Sequence, residues 1–174
     1  MSLHWLNAWR AALRRRKRSR RLATLSVDYL ADILIPDPNG GVLHVDYLLL
    51  VPRGLLLLDW REVRGNVFGS DAMLEWTVMD GPRRFTFANP QAGLYDRLAA
   101  LRAIAGAVPV DARIVFADTA TFPKGLPRLT WRESDLQPEF LLGDRLHAEQ
   151  IVSPWRAEWA RLSIALAPSQ FSAH

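Results

Sequence analysis

The chain has 174 residues, of which 49% are hydrophobic and none is cysteine, and its formal net charge is +4 at pH 7. A chain of this kind can bury one sizeable core, and it has no means of forming disulfide bridges or thiolate metal sites. It contains no apolar run of the roughly 18–20 residues that a membrane-spanning helix needs and no secretory signal pattern, so it predicts a cytoplasmic protein.

The first predicted element is a basic amphipathic helix or arm over residues 1–23, followed by one domain over residues 24–174. Residues 10–21 hold eight Lys or Arg and no acidic residue, and the other 14 basic residues stand against 18 acidic ones. The high basicity therefore belongs to the arm, while the rest of the chain carries about −4. An apolar stripe at roughly helical spacing begins before this run and extends into it: Leu3, Trp5, Leu6, Trp9 and Leu13.

Three roles are open for the arm. It docks on the body through Trp5 and Trp9, it binds nucleic-acid phosphates, or it lies on an anionic membrane surface at the inner face of the membrane. The residues predicted to bind nucleic acid are Arg14, Arg15, Arg16, Lys17, Arg18, Arg20 and Arg21.

The domain begins with a series of strands. The first, at 27–35, ends at the turn cluster of residues 36–41, and its residues Asp28 and Asp32 are expected to face solvent or the sheet edge. Apolar runs and hairpin signals predict further strands at 43–50, 55–62, 73–79 and 84–87.

The hairpin around Pro52-Arg53-Gly54 carries the candidate site. If Leu50 pairs with Leu55, Asp46 falls opposite Asp59, with Cβ atoms about 4.5–5.5 Å apart. Strand alternation then puts Arg61 on the face of Asp59. Two carboxylates this close require a positive charge, which is either a divalent cation or Arg61 acting as a simple ion-pair partner.

Helices dominate the later part of the chain. Asn89-Pro90 predicts the start of a helix with Leu94, Leu98 and Leu101 on its apolar stripe, and 112–117 is predicted to be a buried strand. Residues 118–136 are expected to form a loop with a short strand near 129–131, and helices are predicted from His147 and Pro154 onward. Strands followed by a helix and a returning strand favour an α/β or α+β core. Among the histidines, only His44 is a candidate for the site.

An ordered set of short motifs resembles the nuclease-related domain, NERD, a branch of the PD-(D/E)xK nuclease superfamily. The matching segments cover about residues 24–122: Val45-Asp46-Tyr47, Pro52-Arg53-Gly54, Leu57-Leu58-Asp59-Trp60-Arg61, Gly65-Asn66-Val67-Phe68-Gly69, Asn89-Pro90 and Ile114-Val115-Phe116.

The resemblance implies a restriction-endonuclease-like core, in which a central mixed sheet is flanked by helices. It also implies hydrolysis of DNA with Mg²⁺ or Mn²⁺, in which Asp46 and Asp59 are the metal ligands and Arg61 stands in the position of the family's Lys. These three residues are the predicted catalytic set.

This sequence departs from the family pattern at four points. No acidic residue precedes Asp28, so the family's N-terminal Glu ligand is missing or replaced. In the family's Glu-x-Lys motif, Asp59 stands in place of Glu and Arg61 in place of Lys. Gly93 stands where the family prefers Gln. A second interpretation follows, in which the domain is a catalytically inactive binding or scaffold module. Arg61 would then neutralise Asp46 or Asp59 in place of a metal, and the arm would bind nucleic acid or a membrane.

Overall fold

The computed structural model describes Leu13 and residues 16–168. The predictions made for Trp5, Trp9, Arg14 and Arg15 lie outside these residues.

The described chain combines two β-sheets with helices on both faces of the larger one. The strands are β1 (Asp28–Pro36), β2 (Val42–Val51), β3 (Gly54–Arg61), β4 (Gly65–Phe68), β5 (Glu75–Asp80), β6 (Arg83–Ala88), β7 (Val110–Phe116), β8 (Ala120–Thr121), β9 (Thr130–Arg132) and β10 (Ala167–Pro168). The helices are α1 (16–25), α2 (Pro90–Ile104), α3 (Leu136–Phe140), α4 (Arg145–Val152) and α5 (Arg156–Ala165). Short 3-10 helices, Glu133–Asp135 and Ser153–Trp155, precede α3 and α5.

The larger sheet is mixed, with the strand order β10-β1-β2-β3-β7-β9. The strands β1, β2 and β3 form an antiparallel meander, whereas β3, β7 and β9 run parallel. Because parallel neighbours end at the same edge, Arg61, Phe116 and Arg132 mark one edge of the sheet. The smaller sheet has the order β6-β5-β4-β8. This architecture confirms the predicted α/β class with a mixed sheet flanked by helices.

The hairpin register is the predicted one. Leu50 pairs with Leu55 and Leu49 with Leu56 across the turn. The turn depends on Gly54, whose φ is +118° and where a Cβ atom would lie 2.2 Å from the carbonyl oxygen of Pro109. Only glycine is compatible with both conditions.

The larger sheet separates two apolar layers. On β2 and β3, alternate residues face opposite layers, which explains why both strands read as continuous apolar runs. The first layer contains residues of α2, α4, α5 and the smaller sheet: Leu94, Leu101, Val152, Trp159, Leu162 and Trp76. The second contains residues of α1 and α3: Leu22, Leu25, Leu136 and Phe140. The described part of the basic arm is thus packed on the sheet through Leu22 and Leu25. Among the described residues, no helix has the length and apolar character needed to cross a membrane.

The segment 118–136, predicted as a loop with a short strand near 129–131, requires correction only in part. The short strand is present as β9, but the segment also contains β8, a 3-10 helix and the first residue of α3. The strands β4 and β10 and the helix α3 were also not predicted, because each is shorter than the span over which apolar periodicity can be recognised.

Candidate functional site

The site begins where the antiparallel pairing of β2 and β3 ends. The last pair is Tyr47 with Leu58, and Asp46 and Asp59 are the next residues of the two strands beyond it. The backbone N–H of Trp60 donates to Asp46 Oδ2 at 2.6 Å, so the Asp46 side chain replaces the next interstrand bond. Asp46 is therefore fixed at the point where the two strands separate.

Asp32 and His44 lie beside Asp46. The His44 Nε2 atom is 3.6 Å from Asp32 Oδ1, and its Nδ1 atom is 3.6 Å from Asp46 Oδ1. One potential ligand atom from each of these residues lies within 4.8 Å of the others. This set, Asp32, His44 and Asp46, is called the acidic cluster below.

Asp32 is placed in the acidic cluster by an irregularity in β1. The pairs Ala31–Tyr47 and Ile33–Val45 flank the position where Asp32 would pair with Asp46. The φ of Asp32 is +51°, which interrupts the regular strand. Asp32 keeps 32% of its side chain exposed, but its place beside His44 and Asp46 was not predicted, because strand alternation does not hold at this residue.

Asp59 is the most buried carboxylate of the site, with 6% of its side chain exposed, and it is held by two arginines. The Arg61 Nη2 atom donates to Asp59 Oδ2 at 2.8 Å. The Arg97 Nη1 atom lies 3.4 Å from the same oxygen. Arg97 comes from α2, and its Nε donates to the His44 carbonyl oxygen at 2.6 Å. The two arginines connect β3, β2 and α2 around one carboxylate.

The environment of Asp46 disfavours its charged form. Burial raises the pKa of this carboxyl group above its ordinary value, and the nearby charge of Asp59 raises it further. The N–H of Trp60, together with His44 and Arg61, acts in the opposite direction without cancelling the shift. A carboxylate that is costly to ionise, next to a second carboxylate, has the electrostatics of a cation-binding group.

The donor set fits a divalent cation. Two carboxylates and one imidazole offer oxygen and nitrogen ligands, and the imidazole favours a transition metal such as Mn²⁺ over Mg²⁺, which prefers oxygen alone. With His44 neutral, three Asp and two Arg give the site a formal charge of −1. A divalent cation would make the site net positive, which suits a phosphate ligand.

The described residues of the arm divide into two groups. Arg18 forms an ion pair with Glu62, and its guanidinium lies 4.2 Å from the ring centroid of Trp60. Arg21 pairs with Glu133 at 2.9 Å. The second group consists of the other described candidates for nucleic-acid binding, whose side chains are exposed to solvent: Arg16, Lys17 and Arg20. Arg18 and Arg21 therefore contribute to docking of α1.

Sequence reasoning did not find Arg97. Its signal was available, because Arg97 follows Leu94 by three residues and precedes Leu101 by four, so it lies on the buried side of α2. A charged residue in that position needs a partner. The identity of this partner, Asp59, could not be predicted because β3 and α2 meet only in the folded chain.

The family model described as "NERD: Nuclease-related domain" matches residues 10–117, which is more than half of the chain. The matched segment contains the acidic cluster, Asp59 and both arginines, and it begins within the basic run rather than after it. No curated protein and no solved structure matches the chain.

Proposed function

Because the chain belongs to the nuclease-related domain family, we propose that it is a nuclease that hydrolyses DNA with the help of a divalent cation, Mn²⁺ or Mg²⁺. Family membership gives the nuclease-related character. The observation that carries the finer proposal is the acidic cluster, whose ligand atoms converge beside Asp59 and two arginines.

Asp46 is the central metal ligand in this proposal. Asp32 and His44 complete the set on one side, and Asp32 supplies a carboxylate in place of the missing N-terminal Glu. Asp59, the second ligand expected from the sequence, stands next to this set but is engaged by Arg61 and Arg97. A bound cation lowers the pKa of a coordinated water and stabilises the charge that develops on the phosphate.

The arginines hold the substrate. Arginine side chains do not serve as general bases, but the planar fork of donors of Arg61 matches the oxygens of a phosphate. Arg16, Lys17 and Arg20 of α1 supply further phosphate contacts to the DNA backbone. Arg14 and Arg15 are assigned the same role from the sequence.

Cleavage of supercoiled plasmid tests this function directly. Wild type is compared with Asp46→Asn and Asp59→Asn in Mn²⁺, Mg²⁺ and EDTA, with Asp96→Asn as the matched control because Asp96 is exposed on α2. We expect cleavage in Mn²⁺ by wild type and by the control, and its loss in both site variants and in EDTA. Full activity in folded Asp46→Asn would refute the assigned site.

A second candidate function is nucleic-acid binding without catalysis. The two arginines on Asp59 favour it, since they neutralise this carboxylate as a metal ion would. In that case the wild type does not cleave DNA in the presence of any metal ion, but it slows the migration of DNA in a gel in EDTA. Peripheral contact with an anionic membrane through the arm stays a prediction, and co-sedimentation with vesicles containing phosphatidylserine tests it.

A further inference from the structure

The glycine at residue 93 lies next to the guanidinium of Arg97. The two residues are four apart on α2, so they lie on the same side of the helix. A Cβ atom at Gly93 would lie 3.2 Å from Arg97 Nη1, which is closer than an ordinary van der Waals contact. Gly93 therefore leaves the space that the Arg97 guanidinium occupies. The glycine carries a cost, because in a helix interior glycine is less favourable than alanine.

The position of the guanidinium is fixed from two directions. Its Nε donates to the His44 carbonyl oxygen at 2.6 Å, and its Nη1 lies 3.4 Å from Asp59 Oδ2. The Arg97 side chain is 21% exposed, so solvent screens the charge only in part. One fixed positive charge thus lies between the carboxylate of β3 and the strand that carries His44 and Asp46.

We propose that Arg97 is a positioning residue that holds Asp59 as its counter-ion, so that it competes with a divalent cation for this carboxylate and adds a second guanidinium for a nucleic-acid phosphate. The proposal rests on the proposed function for the identity of the two ligands. With Arg97 in this position, the site binds metal more weakly, and phosphate more tightly, than it would without Arg97.

The two ligands are affected in opposite directions. Removing the guanidinium changes the formal charge of the site from −1 to −2, which favours a cation and disfavours a phosphate. Asp59 keeps its partner Arg61 at 2.8 Å, so the substitution leaves no uncompensated buried charge. Removing a residue that merely supports the structure would instead weaken the binding of both ligands.

The test measures binding and not cleavage. Mn²⁺ is titrated calorimetrically into wild type, Arg97→Gln and Arg102→Gln, and a short DNA duplex is titrated into the same proteins in EDTA. Arg102 is the matched control, because it lies on α2 and is exposed, and its substitution removes the same charge. We expect Arg97→Gln to bind Mn²⁺ roughly three- to tenfold more tightly and the duplex more weakly by a similar factor. The control should resemble wild type in Mn²⁺ binding.

A second variant guards against unfolding of Arg97→Gln. Gly93→Gln keeps every charge but fills the space of the guanidinium, so it should also tighten Mn²⁺ binding. Unchanged or weaker Mn²⁺ binding in both folded variants would overturn the proposal, as would unchanged duplex binding by Arg97→Gln in EDTA. Neither readout depends on catalysis, so an inactive wild type would refute the proposed hydrolysis while leaving this result intact.

Discussion

At the scale of single residues, Asp46 combines a structural bond with an electrostatic cost. Its carboxylate accepts the N–H of Trp60 at 2.6 Å, where the β2–β3 pairing ends. Burial and the charge of Asp59 raise its pKa above the ordinary value. The folded protein therefore holds the Asp46 proton more tightly than the unfolded chain does. The stability that this proton contributes is complete below the ordinary pKa of 3.8 and disappears as the pH rises through the raised value.

This cost predicts the behaviour of Asp46→Asn. The amide oxygen still accepts the N–H of Trp60, but no charge has to be buried, so the variant should melt above wild type at pH 7 in EDTA. The difference should shrink as the pH falls toward 4, because the raised pKa of Asp46 means that a growing fraction of this carboxyl group in wild type is then protonated. Thermal melts at the two pH values measure this, with Asp96→Asn as the exposed control. A variant that melts below wild type at pH 7 would show that the charge of Asp46 stabilises the metal-free fold.

At the scale of elements, α1 has a docked side and an exposed side. Leu22 and Leu25 are fully buried against the sheet, and Arg18 packs over Trp60 while pairing with Glu62. The exposed side carries Arg16, Lys17 and Arg20. The basic residues of α1 therefore fall into two groups: one helps to dock the helix on the sheet, and the other is exposed to solvent.

Arg18 and Arg20 should respond differently to substitution by Gln. Without its guanidinium, Arg18 can neither pack over Trp60 nor pair with Glu62, so Arg18→Gln should reduce the free energy of unfolding by about 1–2 kcal/mol. Arg20→Gln should change it by less than about 0.5 kcal/mol, as is usual for an exposed position. Urea denaturation of both variants measures the difference. Equal values for the two would mean that Arg18 does not anchor α1.

The exposed side of α1 is expected to contribute to DNA binding. Replacing Arg16, Lys17 and Arg20 together by Gln should weaken duplex binding uniformly across sequences. The slope of the logarithm of affinity against the logarithm of salt concentration should fall by about 1 for each phosphate that these side chains no longer neutralise. Fluorescence anisotropy at several salt concentrations tests this in EDTA. An unchanged slope would mean that DNA binds elsewhere on the protein.

The start of α2 is fixed by a side-chain network. Asn89 Oδ1 accepts the N–H of Gln91, and Asn89 Nδ2 donates to the Met73 carbonyl oxygen at 2.8 Å. Gln91 is 4% exposed and donates to Asp71 and to the Arg128 carbonyl oxygen. These bonds join α2 to the segments before β5 and before β9, and α2 in turn carries Arg97.

Asn89→Ala should therefore destabilise the protein by about 1–2 kcal/mol, the usual cost of removing a helix cap. Asn89→Asp keeps the capping oxygen but cannot donate to Met73, so its cost should be smaller. Urea denaturation of the two variants gives the comparison. If the Asp variant is as unstable as the Ala variant, the donation to Met73 matters more than the cap.

At the scale of the whole molecule, the sequence predicts the elements better than the site. The register of Leu50 with Leu55 follows from one local turn, and the apolar stripe of α2 follows from helical spacing. The ion pair of Arg61 with Asp59 follows from strand alternation. In each case the residues involved are close in the chain or belong to one element.

The rest of the site depends on contacts between distant elements. Asp32 joins the acidic cluster because its positive φ interrupts β1 beside β2, and no pattern in β1 encodes that angle. Arg97 meets Asp59 only when α2 packs beside β2 and β3. The predicted pair of metal ligands, Asp46 and Asp59, is therefore incomplete as a description of the charges that surround a cation here.

Calorimetric titration of Mn²⁺ into the metal-free protein tests the Asp46-centred cation site most directly. Wild type and the control Asp96→Asn should each show a saturable binding event, and Asp46→Asn should show none, although it is folded. Since a cation that binds only the native state stabilises it, the same Mn²⁺ should raise the melting temperature of the first two proteins alone. Equal Mn²⁺ binding by wild type and Asp46→Asn, or no binding by wild type, would contradict the assignment of a cation site to Asp46.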